Sequence, residues 1–301
     1  MLQQTLPSAE PLEAGQPAEA PSKHIVDVLL EERAPHLMRS VFWPLLRGPL
    51  FALLDYRGAR ATADAIASLD GQAALAFARE RLHLRVDVTS LERIPRAGRC
   101  VIVANHPTGI ADGIAVSAAL AQARPDHCFF ANADALRVCP GLADVLIPVE
   151  WPADKRTIEN TKLTLRRAKR ALAEERAVVI FPAGAPARLI DGRIQEPPWE
   201  KSAIALARKY AAPLVPVHVA GPPSFTYHAF HLISRELRNL TLFREFLNKA
   251  GRRFTLTVGL PIAASALSGE AGAVTEHLRV FTAQTLGRNP DQPFASAEAG
   301  R

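Results

Sequence analysis

The sequence predicts an α/β fold: a mostly parallel central sheet flanked by helices, preceded by an N-terminal helical segment suited to a membrane surface. Three observations carry this. Short apolar runs bounded by turns recur at intervals of roughly 30 residues. Amphipathic stretches lie between them, and alternating β and α units argue for an α/β architecture. Gly-bearing turns follow three of the runs, where ligands of open α/β sheets gather. The 301 residues are 48% hydrophobic, enough for one large core.

Residues 1–21, rich in Pro, Glu, Ala and Gln, lack the basic and apolar regions of a secretory signal and read as a disordered tail. Residues 22–82 read as helical. Within them "HLMRSVFWPLLRGPLFALLDY", His36 to Tyr56, is apolar but interrupted by Arg39, Pro44, Arg47 and Pro49. It falls short of the roughly 18 apolar residues of a spanning helix. It suits a helical hairpin lying on a membrane, with arginines reaching lipid phosphates and Phe42, Trp43 and Phe51 dipping in. A helix pair packed on the core is the alternative.

Residues 83–290 read as one catalytic domain and 291–301 as a tail. "LRVDV" (84–88) alternates, so one face is buried. "CVIVA" (100–104), "HCFFA" (127–131), "VLIPV" (145–149), "AVVIF" (177–181), "PLVPVHV" (213–219) and "FTLTVG" (254–259) are further strands. In "TIENTKLTLRRAKRALAEER", Ile158, Thr161, Leu165, Ala168 and Leu172 repeat at helical spacing and predict one buried stripe. "EKSAIALARKY" predicts a second helix, with Ile204, Leu206 and Ala207 inward.

The net charge is +6, but residues 1–35 hold six acidic and two basic side chains, so the rest carries +10. A basic body points to anionic partners. Aromatic residues are scarce and no nucleic-acid motif is present, so nucleic acid is not an expected partner. Cys100, Cys128 and Cys139 form no CxxC pair and read as reduced, buried thiols.

The chemistry concentrates in the three turns "NHPTGIADG", "FPAGAPAR" and "VAGPPS". His106 sits just past a strand, and Asp112 lies about one helical turn further along the chain. The turn Pro107-Thr108-Gly109 lets the carboxylate accept from one imidazole nitrogen and leaves the other as a base facing the pocket. This is the logic of a Ser-His-Asp triad without its serine. No G-x-S-x-G elbow is present, so the activated hydroxyl belongs to a substrate. Asn105, before the His, is expected to fix the turn through backbone bonds and stands among the candidate binding residues. Backbone N–H groups near Gly109 and Gly184 are candidates for an oxyanion. His228 and His231, with Phe225, Tyr227 and Phe230, read as a wall of an acyl channel or as packing.

"NHPTGIADG", then "FPAG", then "PLVPVHVAG", in this order, resembles the lysophosphatidic-acid acyltransferase family of glycerolipid acyltransferases, from about Leu84 to Ile262. "IPRAGRCVIVANHP" and "LRNLTLFREFLNKAGRRFTLTVGLPI" resemble its bacterial hemolysin-like branch. The family's first motif is His, four residues, Asp. Here five intervene, a spacing the hemolysin-like branch shares. The second motif corresponds to "CPGLADVLIPVEW", where the usual Arg is missing and Lys155 and Arg156 are the nearest substitutes. The third, normally Phe-Pro-Glu-Gly then Arg, reads Phe181-Pro182-Ala183-Gly184, with Arg188 beyond. The motif's Glu is absent, while Arg188 retains a guanidinium fork for a phosphate. "LVPVHV" matches the fourth motif.

The resemblance implies an O-acyltransferase moving a fatty acyl group from acyl-CoA or acyl carrier protein to a lysolipid hydroxyl, lysophosphatidic acid by default. His106 would be the general base and Asp112 its orienting partner. The donor is a co-substrate, and no metal or other cofactor is implied. With the basic body, the resemblance places the protein peripherally on an anionic membrane, at the cytoplasmic face of the inner membrane. Two alternatives remain: a non-catalytic lipid- or carrier-binding protein of the same fold, and an acyl-thioesterase.

Overall fold

The computed structural model describes residues 23–150, 157–190 and 192–295. Five helices come first: α1 (Ile25–Arg33), α2 (Pro35–Arg39), α3 (Trp43–Leu53), α4 (Tyr56–Ile66) and α5 (Gly71–Leu82). The sheet region follows as β1 (Arg85–Thr89), β2 (Cys100–Ala104), α6 (Ile110–Ala123), β3 (Cys128–Asn132), α7 (Asp134–Val138), β4 (Leu146–Val149), α8 (Ile158–Ala173) and β5 (Ala177–Ile180). A short hairpin, β6 (Arg188–Ile190) and β7 (Arg193–Gln195), leads to α9 (Ser202–Lys209) and β8 (Leu214–Ala220). Then come α10 (Phe225–Ile233), α11 (Arg235–Leu240), α12 (Leu242–Leu247), β9 (Arg253–Val258) and α13 (Ala271–Val280).

Seven strands form one sheet in the order β1-β9-β8-β2-β5-β3-β4. All adjacent pairs are parallel except β8 with β9, so β1 and β9 run against the other five. All seven strands expected from the sequence are present. The reason is plain in β2, where every residue is buried and the apolar run has no polar face to show. Ile102 and Ala104 face a core shared with α5 and α6, while Val101 and Val103 face one shared with α8, α9 and α13. At the sheet edge, β1 shows the alternation its sequence predicts, but its inner face, Val86 and Val88, is half-buried rather than buried.

A third cluster joins α1, α3 and α4 to α11: Val26, Leu30, Leu50, Leu54, Ala59 and Leu240 are buried together. This revises the expected membrane hairpin. Trp43 and Phe51 are half-buried against that cluster, their rings 5.7 Å apart, and Phe51 stacks on Tyr56 at 4.3 Å. Phe42 is exposed as expected, with Val41 and Leu45 beside it. The segment is therefore two-faced: one side is core and the other is open. No helix among the described residues is long and apolar enough to cross a membrane.

Two further expectations change. In α8 only Ala168 and Leu172 of the expected stripe are buried, joined by Ala171. Ile158, Thr161 and Leu165 are exposed, and that part of the helix meets the sheet through Thr164 instead, whose hydroxyl donates to Pro148 O of β4 at 2.6 Å. The α9 expectation holds, with Ala203, Ile204, Leu206 and Ala207 buried. The β6–β7 hairpin was not expected. Of the tail positions 291–301, Phe294 packs edge-on against Phe281 at 5.6 Å. The three cysteines are free and buried, and burial pushes the Cys100 and Cys128 thiols up to about 11.

Candidate active site

The three turns singled out in the sequence follow β2, β5 and β8, which lie side by side and run the same way. Their loops therefore open on one sheet edge. Gly109 caps α6 at φ 100° and ψ −141°, backbone that only glycine adopts without strain. This turn absorbs the five residues between His106 and Asp112. His106 Nδ1 lies 2.9 Å from Asp112 Oδ2.

The Asp112 carboxylate is completely buried and heavily bonded. Oδ2 also accepts from the N–H groups of Thr108 at 2.8 Å and Gly109 at 3.0 Å, and Oδ1 accepts from the Thr108 hydroxyl at 2.6 Å. A carboxylate so surrounded only accepts. The proton of the shared bond therefore sits on His106 Nδ1, and Nε2 carries the free lone pair. The Phe181 ring covers the imidazole, centroids 4.6 Å apart. An imidazole oriented in this way can take a proton from a hydroxyl and return it to a leaving group.

Each remaining expected residue has a definite place. Asn105 is buried and bridges β2 to β8: its Nδ2 donates to Val219 O at 2.8 Å, and its Oδ1 accepts from Val219 N at 2.6 Å. It fixes the loop as expected, through the neighbouring strand rather than the local turn. Pro182 is buried, and its carbonyl accepts from Glu200 N at 2.9 Å. Gly184 turns at φ 65°. The expected oxyanion donors need correction at these two glycines. The Gly109 N–H is given to Asp112, and the Gly184 N–H donates to Phe181 O at 3.0 Å. Both amides are paired within the protein. Arg188 opens β6 directly after Ala187, whose N–H donates to His106 O at 2.9 Å. Lys155 and Arg156 lie outside the described residues.

Ala183 explains the altered third motif. Its methyl is buried in the apolar cluster under α9, where a carboxylate would be stripped of water. The carboxylate that reaches the His106 loop belongs instead to Glu196. Glu196 accepts from the His106 backbone N–H and, at 2.8 Å, from the Trp199 indole N–H. Burial raises this carboxyl above its usual range, while the two donors pull it back. Sequence reasoning missed Glu196, Trp199 and the bonding role of Thr108. It also missed the brace beneath the third loop. There Lys249 Nζ donates to Pro222 O at 2.9 Å and lies 3.6 Å from Glu245, which accepts from Ser224 at 2.6 Å. The i, i+4 spacing of Glu245 and Lys249 was the one available signal.

Residues 85–220 match the family described as Acyltransferase. Two relatives are named lyso-glycine lipid O-acyltransferase. The one from Phocaeicola vulgatus is 29% identical over 189 residues, covering 61% of this chain and 66% of that protein. The one from Bacteroides thetaiotaomicron is 28% identical over 189 residues, covering 61% and 68%. The match thus spans about two thirds of these relatives' length. The 1-acyl-sn-glycerophosphate (LPA) acyltransferase PlsC from Thermotoga maritima superposes with a TM-score of 0.46 at 16% identity, covering 89% of this chain and 96% of that one. The match to the Acyltransferase family runs from β1 to the end of β8 and encloses the His106–Asp112 pair and the Phe181–Gly184 turn.

Proposed function

We propose that the protein transfers a fatty acyl group from a thioester donor, acyl-CoA or acyl carrier protein, to the hydroxyl of a lysolipid with an acidic headgroup. The observation that carries this reading is the His106–Asp112 pair, held at 2.9 Å beside three loops at one sheet edge. His106 Nε2 takes the proton as the hydroxyl oxygen attacks the thioester carbonyl. The new C–O bond forms, the C–S bond breaks, and the proton passes to the departing thiolate. Asp112 holds the imidazole tautomer and favours the imidazolium formed in between. Arg188, one residue from the Ala187–His106 bond, binds the acid group of the acceptor.

Lysophosphatidic acid is the acceptor expected from the motifs. The two relatives' names add an amino-acid-headed lysolipid, a lyso-glycine lipid, as the second acceptor to test. The attachment proposed is peripheral, on an anionic membrane at the cytoplasmic face of the inner membrane. It is supported by the open face of Val41, Phe42 and Leu45, flanked by Arg39 and Arg47. The purified protein, incubated with labelled acyl-CoA or acyl carrier protein and each lysolipid, should yield diacylated product. Labelled free fatty acid alone would make it a thioesterase. No turnover with any acceptor would make it a binding protein of the same fold.

A further inference from the structure

The α10–α11 corner gathers cationic and hydrogen-bonding groups beside the His106 loop. β6, which begins at Arg188, packs against α10. Tyr227 and His231 of α10 lie within range of the Arg188 charge, and also of Arg238 on α11. Arg238 Nη1 is 3.3 Å from His231 Nδ1. Arg188 Nε and His228 Nδ1 are buried and have no hydrogen-bond partner among the described residues. Among the described residues, the two nearby carboxylates are engaged with other partners. Glu245 accepts from Ser224 and sits against Lys249, and Glu236 accepts from the His36 and Leu37 N–H groups. Burial, with repulsion from Arg188 and Arg235, holds the Arg238 guanidinium below its usual range. Arg238 Nη2 donates to the Asn239 side-chain carbonyl at 2.9 Å, and among the described residues no carboxylate bonds either guanidinium; two half-buried guanidiniums that repel each other form an environment that an incoming anion relieves.

We propose that Arg238, together with Arg188, Tyr227 and His231, forms the subsite that receives the acidic headgroup of the acceptor and so selects acidic over neutral lysolipids. This rests on the lysolipid acyltransferase reading above. The outer face of α10 favours an amphiphile over the phosphates of a CoA donor: Phe225, Leu232 and Ile233 are 88%, 68% and 71% exposed. An acyl chain lying along that face would carry its head toward the arginines.

N-Dodecanoylglycine tests the subsite without turnover, because it carries the carboxylate but no hydroxyl to acylate. Its affinity and that of its carboxamide are measured by calorimetry below their micelle concentrations. The intact protein should bind the carboxylate about tenfold more tightly, ~1.4 kcal/mol. Arg238→Gln should bind both alike, Arg238→Lys should keep part of the preference, and CoA affinity should be unchanged in both variants. Equal binding of carboxylate and carboxamide by the intact protein overturns the subsite, and this comparison needs no variant to fold. Weakened CoA binding in Arg238→Gln also overturns it and assigns the corner to the donor. Carboxylate preference in a protein that acylates no lysolipid would refute the enzymatic reading and leave the subsite standing. Acylation without carboxylate preference would do the reverse.

Discussion

At the scale of single residues, His106 and Asp112 divide their tasks by burial. The imidazole faces the loops, and the carboxylate is sealed beneath it with four donors. His106→Ala should lower turnover by about 10²–10⁴-fold while the protein stays folded, because the Asp112 carboxylate keeps its three donors from Thr108 and Gly109. Wild-type turnover in the purified variant would refute the mechanism. Asp112→Asn should also slow turnover. It should in addition destabilise the fold by about 1–3 kcal/mol in urea denaturation, since an amide NH₂ would face N–H donors. Arg188→Ala should raise acceptor KM more than it lowers kcat, because headgroup binding serves ground and transition states alike. Acceptor titrations by steady-state assay check this, and an unchanged KM would move the headgroup contact elsewhere. The pair was legible because His and Asp flank a Pro-Thr-Gly turn after an apolar strand. Glu196 was not: it reaches His106 from 90 positions away, and "QEPPWEK" carries no periodicity that points to the site.

At the scale of elements, the site is held by close approaches that leave little trace in the sequence. Gly221, past the end of β8, lies so near Phe254 and Thr108 that an added Cβ would come within 2.4 Å of the ring and 2.9 Å of the Thr108 methyl. Gly221→Ala should therefore push Thr108 off Asp112, lowering both melting temperature and kcat. A fully active, equally stable variant would show that the loop yields freely. The strands were legible because sheet burial on both faces demands unbroken apolar runs. The α8 stripe was misplaced for a related reason: helical spacing identifies a stripe, but not which of its residues meet the sheet. Small residues do the covering there, with Ala168 and Ala171 beside Leu172. The β6–β7 hairpin did carry a signal in Asp191-Gly192, between "RLI" and "RIQ", but its exposed Ile190 and Ile194 gave no core face to read.

At the scale of the whole molecule, two imidazoles, the buried His127 and the half-buried His218, tie stability to pH. His127 Nδ1 donates to Arg124 O at 2.6 Å, and its Nε2 lies 3.2 Å from the Ser117 hydroxyl. His218 Nδ1 donates to Thr282 O at 2.9 Å. Burial lowers both pKa values, so the unfolded chain binds protons more readily than the folded one. Their contribution is complete above the unfolded value of about 6.5 and is lost as pH falls through it toward the lowered folded values. Glu196, raised by burial, acts in the opposite sense as pH rises. Urea midpoints should thus fall between pH 7.5 and pH 5.5, and His127→Gln should flatten the decline. An identical decline in that variant would place the effect elsewhere.

The same scale decides how the proposed membrane face can be tested. Removing residues 1–56 would take away α1 to α3 and with them Val26, Leu30, Leu50 and Leu54 of the third cluster, so lost binding would say little about lipid. The open face allows a cleaner change. Val41, Phe42 and Leu45 are 86%, 64% and 77% exposed, while Leu50 and Leu54 point inward. Phe42→Asp combined with Leu45→Asp should leave the melting temperature unchanged, because neither side chain contributes to the buried cluster. It should reduce flotation with anionic liposomes, by removing apolar area from the interface and placing two carboxylates against a negative surface. High salt should weaken attachment of the unaltered protein without abolishing it, since screening removes the charge attraction and spares the apolar part. Activity on a short-chain, soluble acceptor should be spared in the double variant, because His106 and the three loops lie outside the altered face. Equal flotation of the two proteins would clear α3 of any membrane role and leave Phe225, Leu232 and Ile233 of α10 as the surface to alter next.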